Sequence, residues 1–312
     1  MKQRLFKQVD VFTATPYFGN PLAVVLDGSG LDDETMQRFA RWTNLSETCF
    51  LLPPTDASAD YRVRIFTPGG ELPFAGHPTL GSCHSWLQAG GQPHSRDFVV
   101  QECPAGLVRI CPETLKPSGQ RLAFAAPPLK RSAPSPVLLG QVAQALGLQA
   151  SQIRAAQLLD NGPLWLALLL DSVEAVLQLT PNHPALEKLA MKVGVAAVYP
   201  PEETPPLIAR ANREARAFGP ATPVDAFAPN LEVRAFAAAI GINEDPVTGS
   251  LNASLAQWLI AEGHLPARYL ASQGVCLGRA GQVHIQRDAQ GQVWVGGESV
   301  TCIDGQVTLE SP

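Results

Sequence analysis

Hydrophobic positions in this chain fall mostly in short alternating or unbroken runs, the pattern of strands rather than of long helices. Residues 5 to 12, 22 to 27, 48 to 53, 61 to 66, 97 to 101 and 106 to 111 read as strands, as do 155 to 159, 164 to 170, 194 to 199, 231 to 236, 282 to 286 and 292 to 296. The run from Leu164 to Leu170 is apolar throughout and predicts a buried strand. Short helices are predicted over 32 to 42, 136 to 146, 171 to 178 and 184 to 192, and two more follow His77 and Asp245. The last of these, with Leu251, Ala253, Leu255, Ala256, Trp258, Leu259 and Ile260, is apolar on most sides, which marks a helix enclosed by other structure.

Those last two helices belong to a repeat. Residues 63 to 90 and 231 to 263 each open Val-Arg-x-Phe, run to a Trp-Leu pair (Trp86-Leu87, Trp258-Leu259) and close at Gly90 or Gly263. Between them, His77-Pro78-Thr79-Leu80-Gly81-Ser82 and Asp245-Pro246-Val247-Thr248-Gly249-Ser250 carry Pro, Gly and Ser in register. Proline fits the first helical position and glycine the position just past the end, so Asp245 is expected at a helix start. The second copy has four more residues before its Trp, about one turn at ~3.6 residues per turn, which predicts a longer second helix. Each half is therefore expected to wrap strands around a central helix. A pseudo-two-fold axis would bring both helix starts to one cleft, where free N–H groups and the helix dipoles attract an anion. The Pro-rich stretch Ala125 to Pro134 is the expected crossing, giving domains 1–126 and 127–312, and a second Pro-rich segment at 200 to 206 is expected to reshape a pocket or an interface.

Composition narrows the partners. A chain of 312 residues with net charge -5 and no basic run carries no electrostatic footprint for nucleic acid or an anionic membrane, which favours a small molecule. No apolar run approaches the ~20 residues of a membrane-spanning helix, and the first residues lack a signal-peptide pattern, so a cytoplasmic protein is expected. Cys49, Cys83, Cys103, Cys111, Cys276 and Cys302 are scattered, as are the six histidines, and no metal site is expected. Neither a G-x-G-x-x-G after a strand nor a P-loop occurs, so no nucleotide cofactor is expected.

Three places can carry chemistry. Asp245 serves equally as a helix cap, but His77 at the top of the twin helix is a poor cap, and together they form a pair able to orient a substrate or relay a proton. Glu47, squeezed between Leu45 and Phe50 in Asn44-Leu45-Ser46-Glu47-Thr48, reads either as an exposed strand start or as a desolvated proton shuttle. Gly19-Asn20-Pro21 reads first as a turn. No thiol stands at either helix start, Cys83 lying inside the first helix, which argues against a two-thiol racemase.

Four motifs in order, "FGNPLAVV" (18 to 25), "NLSET" (44 to 48), "FTPGGELPFAGHPTLG" (66 to 81) and "EDPVTGS" (244 to 250), resemble the PhzF family of phenazine biosynthesis, over nearly the whole chain. The resemblance implies an α+β, diaminopimelate epimerase-like fold of two pseudo-symmetric domains, each a mostly antiparallel β-barrel around a central α-helix. It implies a homodimer without metal or organic cofactor, and an isomerase that shifts a carbon-bound proton in a small carboxylate, like trans-2,3-dihydro-3-hydroxyanthranilate isomerase. Glu47 takes the proton-moving role by position, His77 and Asp245 join it as catalytic residues, and Ser250, Gly249, Thr248, Gly76 and Asn20 are the substrate-binding set. The carboxylate is expected on the N–H groups of Gly249 and Ser250. An amino-acid epimerase and a non-catalytic carboxylate-binding relative are the alternatives.

Overall fold

The computed structural model describes residues 1–114, 120–200 and 228–310. β1 (Lys2–Val11) and β2 (Asn20–Val25) pair antiparallel, and α1 (Asp33–Thr43) crosses to β3 (Thr48–Leu52), parallel to β2. β3 pairs antiparallel with β4 (Tyr61–Thr67), onto which the short β5 (Gly70–Leu72) folds back. α2 (Gly76–Gln88) then leads to β6 (Val99–Cys103), parallel to β4, and β7 (Gly106–Thr114) and β8 (Gln120–Ala125) follow antiparallel.

After β9 (Lys130–Ser132) and α3 (Pro136–Leu146) the same succession returns. β10 (Ile153–Asp160) pairs with β11 (Leu164–Leu170), and the short helices α4 (Val173–Leu177) and α5 (His183–Lys188) cross to β12 (Lys192–Val198), parallel to β11. β13 (Leu231–Ala237), β14 (Ile242–Asp245), α6 (Gly249–Ala261), β15 (Arg268–Gln273), β16 (Gly281–Arg287) and β17 (Val293–Leu309) repeat the pairings of β4 through β8. Each half closes into a barrel by borrowing. The start of β17 pairs with β16 and with β8, while its remainder, from Ser299 on, lies along β1 in the first half. Reciprocally, β8 ends at Pro127-Pro128, which lack backbone donors, and β9 beyond them pairs with β10 in the second half. No barrel edge among the described strands of either ring is thereby left to pair with another chain. The division at residue 126 stays a proposal, because by pairing β17 belongs to both halves.

Alternation explains where the core lies. Along β11, Trp165, Ala167 and Leu169 point into the barrel while Leu166, Leu168 and Leu170 face a second core beneath α3, α4 and α5. A strand covered on both faces has no reason to alternate, hence its unbroken apolar run. α1 buries Met36, Phe39 and Ala40 on the outside of the first barrel, against Phe50 and Phe66. α2 and α6 occupy the barrel interiors, and every residue from Gly249 to Ala256 is buried, as expected of an enclosed helix.

The register of the repeat differs from the expected one. α2 and α6 are both 13 residues long and begin at Gly76 and Gly249, so the second helix has no extra turn. The equivalent segments are Glu71-Leu72-Pro73-Phe74-Ala75-Gly76-His77 and Glu244-Asp245-Pro246-Val247-Thr248-Gly249-Ser250. The hairpins fix this: Leu72 faces Ile65 and Asp245 faces Ala235. Arg64 grips Glu71 bidentately at 2.8 and 2.6 Å, and Arg234 grips Glu244 likewise at 2.8 and 2.9 Å. Asp245 therefore ends a strand and is not a helix cap; Thr248 holds that position, and Pro246 lies outside the helix. His77 is the mate of Ser250, and Asp245 of Leu72. Five short strands, β5, β8, β9, β14 and β15, went unpredicted, being only a few residues long or poor in β-branched side chains. Beyond Pro200 the second Pro-rich segment lies outside the described residues.

The two glycines that open α2 and α6 touch. A Cβ on Gly249 would stand 2.9 Å from the Cα of Gly76 and 3.1 Å from the amide nitrogen of His77, with only backbone to yield. Gly249→Ala is expected to cost roughly 1–3 kcal/mol in thermal or urea unfolding. Gly140→Ala, exposed in α3 with nothing within 4 Å of the new methyl, is expected to stabilise by about 1 kcal/mol.

Candidate active site

Where the two helix starts meet, a cavity of about 260 Å³ opens between the halves, a volume suited to a small molecule. Glu47, Phe74, Trp165, Lys192, Asp245 and Ser250 contribute to its walls. Each arrives there for a local reason. α1 ends at Asn44, whose left-handed conformation (φ 54°) suits asparagine, and the chain turns so that Glu47, immediately before β3, is buried on the cavity wall. Asp245 is carried in by the β13–β14 hairpin, and Ser250 by the first turn of α6.

Asn20, the first residue of β2, ties the halves together. Its Nδ2 donates to Oδ1 of Asp245 at 2.8 Å and to the carbonyl of Val247 at 2.9 Å, and lies 3.3 Å from Nδ1 of His77. The other carboxylate oxygen of Asp245 accepts from the Thr248 hydroxyl at 2.6 Å, and Ser46 Oγ approaches Oδ1 at 3.4 Å. Gln273 clamps this loop from behind: its amide nitrogen donates to the Asp245 carbonyl (3.0 Å) and to Thr248 Oγ1 (2.9 Å), while its oxygen accepts from the Thr248 amide (3.0 Å). Ser250 Oγ accepts from the Trp165 indole at 3.3 Å, and Asn161 donates to the Ser250 carbonyl at 3.1 Å.

Glu47 and His77 are the under-satisfied pair. Oε2 of Glu47 lies 3.6 Å from Nε2 of His77, too far for a hydrogen bond, and neither atom has another partner among the described residues. Burial holds the His77 imidazole down to about 3, so it is neutral at physiological pH. Burial pushes Glu47 well above the usual carboxylate range and the Asp245 charge pushes it further, with Lys192 opposing. Their contact is thus no ion pair. Asp245 rises to about 6, burial outweighing the donors from Thr248, Asn20 and Ser46. Two carboxyl groups with raised proton affinity, beside a neutral imidazole, are the ingredients of general acid–base chemistry.

Of the residues singled out in the sequence, Glu47, Asp245, Thr248 and Ser250 line the cavity. Asn20 and His77 stand behind them, and Gly76 and Gly249 form the close contact that lets the helix starts meet. Trp165, Lys192, Asn161 and Gln273 escaped the sequence reading. For Lys192 a signal existed: Thr48 faces Phe66 and Val193 faces Phe236, the phenylalanines of the repeated Val-Arg-x-Phe, so Lys192 occupies in the second half the place of Glu47 in the first. Among the described residues no group of three or more His, Cys, Asp and Glu side chains is placed to hold a metal ion, and no helix is long and apolar enough to cross a membrane.

Comparison with known proteins points in one direction. The family model described as phenazine biosynthesis-like protein matches residues 9–305. A Schizosaccharomyces pombe protein, antisense-enhancing sequence 1, is 35% identical, the match spanning 98% of this chain and 99% of that one. Trans-2,3-dihydro-3-hydroxyanthranilate isomerase of Pseudomonas aeruginosa is 31% identical over 96% of this chain and 98% of its own. In three dimensions the fold matches that of a Bacillus anthracis phenazine biosynthesis protein of the PhzF family with a TM-score of 0.78, at 21% identity, over 99% of this chain and all (100%) of the other.

The Asp245 environment makes a pH prediction. Its carboxyl holds a proton up to about 6 in the folded protein against 3.8 ordinarily, so the folded state binds the proton more tightly than the unfolded one. The stability this contributes is complete below the ordinary value and is lost as pH rises through about 6. Asp245→Asn cannot ionise, and its stability relative to wild type is expected to climb by on the order of 2–3 kcal/mol between about pH 4 and 7. Urea titrations across that range read the difference, and a flat one would show an ordinary carboxylate.

Proposed function

This chain belongs to the phenazine biosynthesis-like family and is an isomerase, and within that class we propose that Glu47 moves a carbon-bound proton of a small carboxylate without a cofactor. The observation that carries the reading is Glu47 itself: a buried carboxyl on the cavity wall, with one oxygen unpartnered and its proton affinity raised. An ionised carboxylate desolvated in this way is a stronger base than one in water, and once protonated it can return the same proton. In the first step the Glu47 carboxylate takes a proton from substrate carbon and the electrons of the broken C–H bond delocalise into the substrate. In the second, the Glu47 carboxyl delivers that proton to another carbon and is itself regenerated. Atoms and electrons balance without oxidant or reductant.

The surrounding groups supply orientation. Asp245, fixed by Asn20 and Thr248, and His77, neutral beside Asn20, present an acceptor and an imidazole to the polar groups of the substrate. The amide N–H groups of Gly249 and Ser250, at a helix start, have no intrahelical acceptor and are offered to the substrate carboxylate. The substrate we infer resembles that of the Pseudomonas aeruginosa relative, trans-2,3-dihydro-3-hydroxyanthranilate. We extend the proposal to a cytoplasmic homodimer, for which sedimentation velocity should give about twice the 33.3 kDa of the chain.

Glu47→Gln is expected to keep the melting behaviour and ligand binding of the wild type but to lose turnover by ~10²-fold or more. The assay is NMR of trans-2,3-dihydro-3-hydroxyanthranilate in deuterated buffer, following loss of ring protons and appearance of product. Unaltered turnover would remove Glu47 from the mechanism, and exchange confined to the α-carbon of an amino acid would redirect the reading to an epimerase.

A further inference from the structure

Lys192 is the pseudo-symmetry mate of Glu47, so equivalent places in the two halves bring a carboxyl and an ammonium to the same cavity. It is the one cation among the described residues lining the cavity. Its surroundings place it beside the start of α6. Trp165 is its neighbour across the β11–β12 pairing, with the ammonium 5.7 Å from a ring centroid, and the same indole donates to Ser250 Oγ at 3.3 Å. Further along β12, the backbone at Gly194 packs directly on Leu251 of that first helical turn.

Packing on Trp165 accounts for the aliphatic stem of Lys192. It leaves the ammonium donors unmet: among the described residues the Lys192 side chain has neither a hydrogen bond nor an ion pair, and Glu47 and Asp245 act on it only at longer range. Oε2 of Glu47, on the same cavity, is equally unmatched, as are Nε2 of His77 and Oδ1 of Asn20 behind the lining. The cavity thus offers an ammonium without a bonded anion and a carboxyl oxygen without a partner, which together complement a molecule bearing a carboxylate and a reactive carbon.

We propose that Lys192, with the N–H groups at the start of α6, binds the substrate carboxylate and so restricts this site to small anions, turning their reacting carbons toward Glu47. The proposal rests on the reading of this cavity as the isomerase site and assigns Lys192 a binding, not a proton-transfer, role.

The test uses two stable probes that differ by the carboxylate, anthranilate and aniline, titrated calorimetrically into wild type, Lys192→Met and Lys192→Arg, each first shown to melt cooperatively. Wild type should prefer anthranilate. Lys192→Met should lose roughly 10- to 100-fold in anthranilate affinity and leave aniline unchanged, and Lys192→Arg should recover most of the loss. Lys192→Gln replaces the methionine variant if that one does not fold. Undiminished anthranilate binding in the neutral variant, equal loss of both probes, or no preference in the wild type would each overturn the proposal. The isomerase reading fails separately: if wild type turns over no carboxylate while Lys192-dependent anthranilate binding persists, the anion site stands without it.

Discussion

The contact between Gly76 and Gly249 is the constraint on which the site depends. Two helices buried inside neighbouring barrels can place their first turns against each other only where neither carries a side chain, since a methyl on either would meet the other's backbone at 2.9 Å. That approach fixes the spacing of the preceding loops, and with it the positions of Thr248, Ala75 and the carboxyl of Asp245 on the cavity wall. It also concentrates the positive ends of both helices at one place, where unsatisfied N–H groups would be costly without a ligand, water or a capping group. Asn20 completes the joint from the strand side, its amide bonding across the halves to Asp245 and Val247.

Burial does the electrostatic work. Three titratable groups, Glu47, His77 and Asp245, lie within one small buried cluster, and the cheapest way for a protein to hold them there is uncharged. The imidazole accordingly loses its proton affinity while both carboxyls gain. Each of these shifts opposes folding under some pH condition, and the two upward ones give buried carboxyls a greater hold on a proton. Stability is thereby traded against reactivity in the same side chains, a trade found where catalytic groups are desolvated.

Much of this was legible in the chain because burial leaves a pattern. Alternating runs announced most strands, the apolar Leu164 to Leu170 announced one covered on both faces, and an all-round apolar segment announced the helix inside the second barrel. The repeat was visible too, but its register was misread. His-Pro-x-x-Gly-Ser and Asp-Pro-x-x-Gly-Ser match by spacing alone, whereas the true correspondence, Glu-x-Pro-x-x-Gly, is set by two Arg–Glu pairs that exist only once the hairpins form. Lys192 and Gln273 were hidden for a related reason. Their neighbours lie on other elements, Asp245 and Thr248 for Gln273, Trp165 and Glu47 for Lys192, and nothing local distinguishes them from a strand-edge lysine or a surface glutamine.

The exchange of final strands between the barrels reaches beyond the site to the order of events in synthesis. β1 is made about 290 residues before the strand that closes its barrel, which begins at Val293 and pairs with it through Leu309. Until β17 has left the ribosome, the first barrel keeps an open edge and an incompletely covered helix inside it. Sequence-distant closure of this kind is slow and leaves sticky intermediates, so the nascent chain is a natural client for chaperones that shield unpaired strands. Once the last strand is laid in, the two halves are stitched through each other and neither can unfold while the other stays whole.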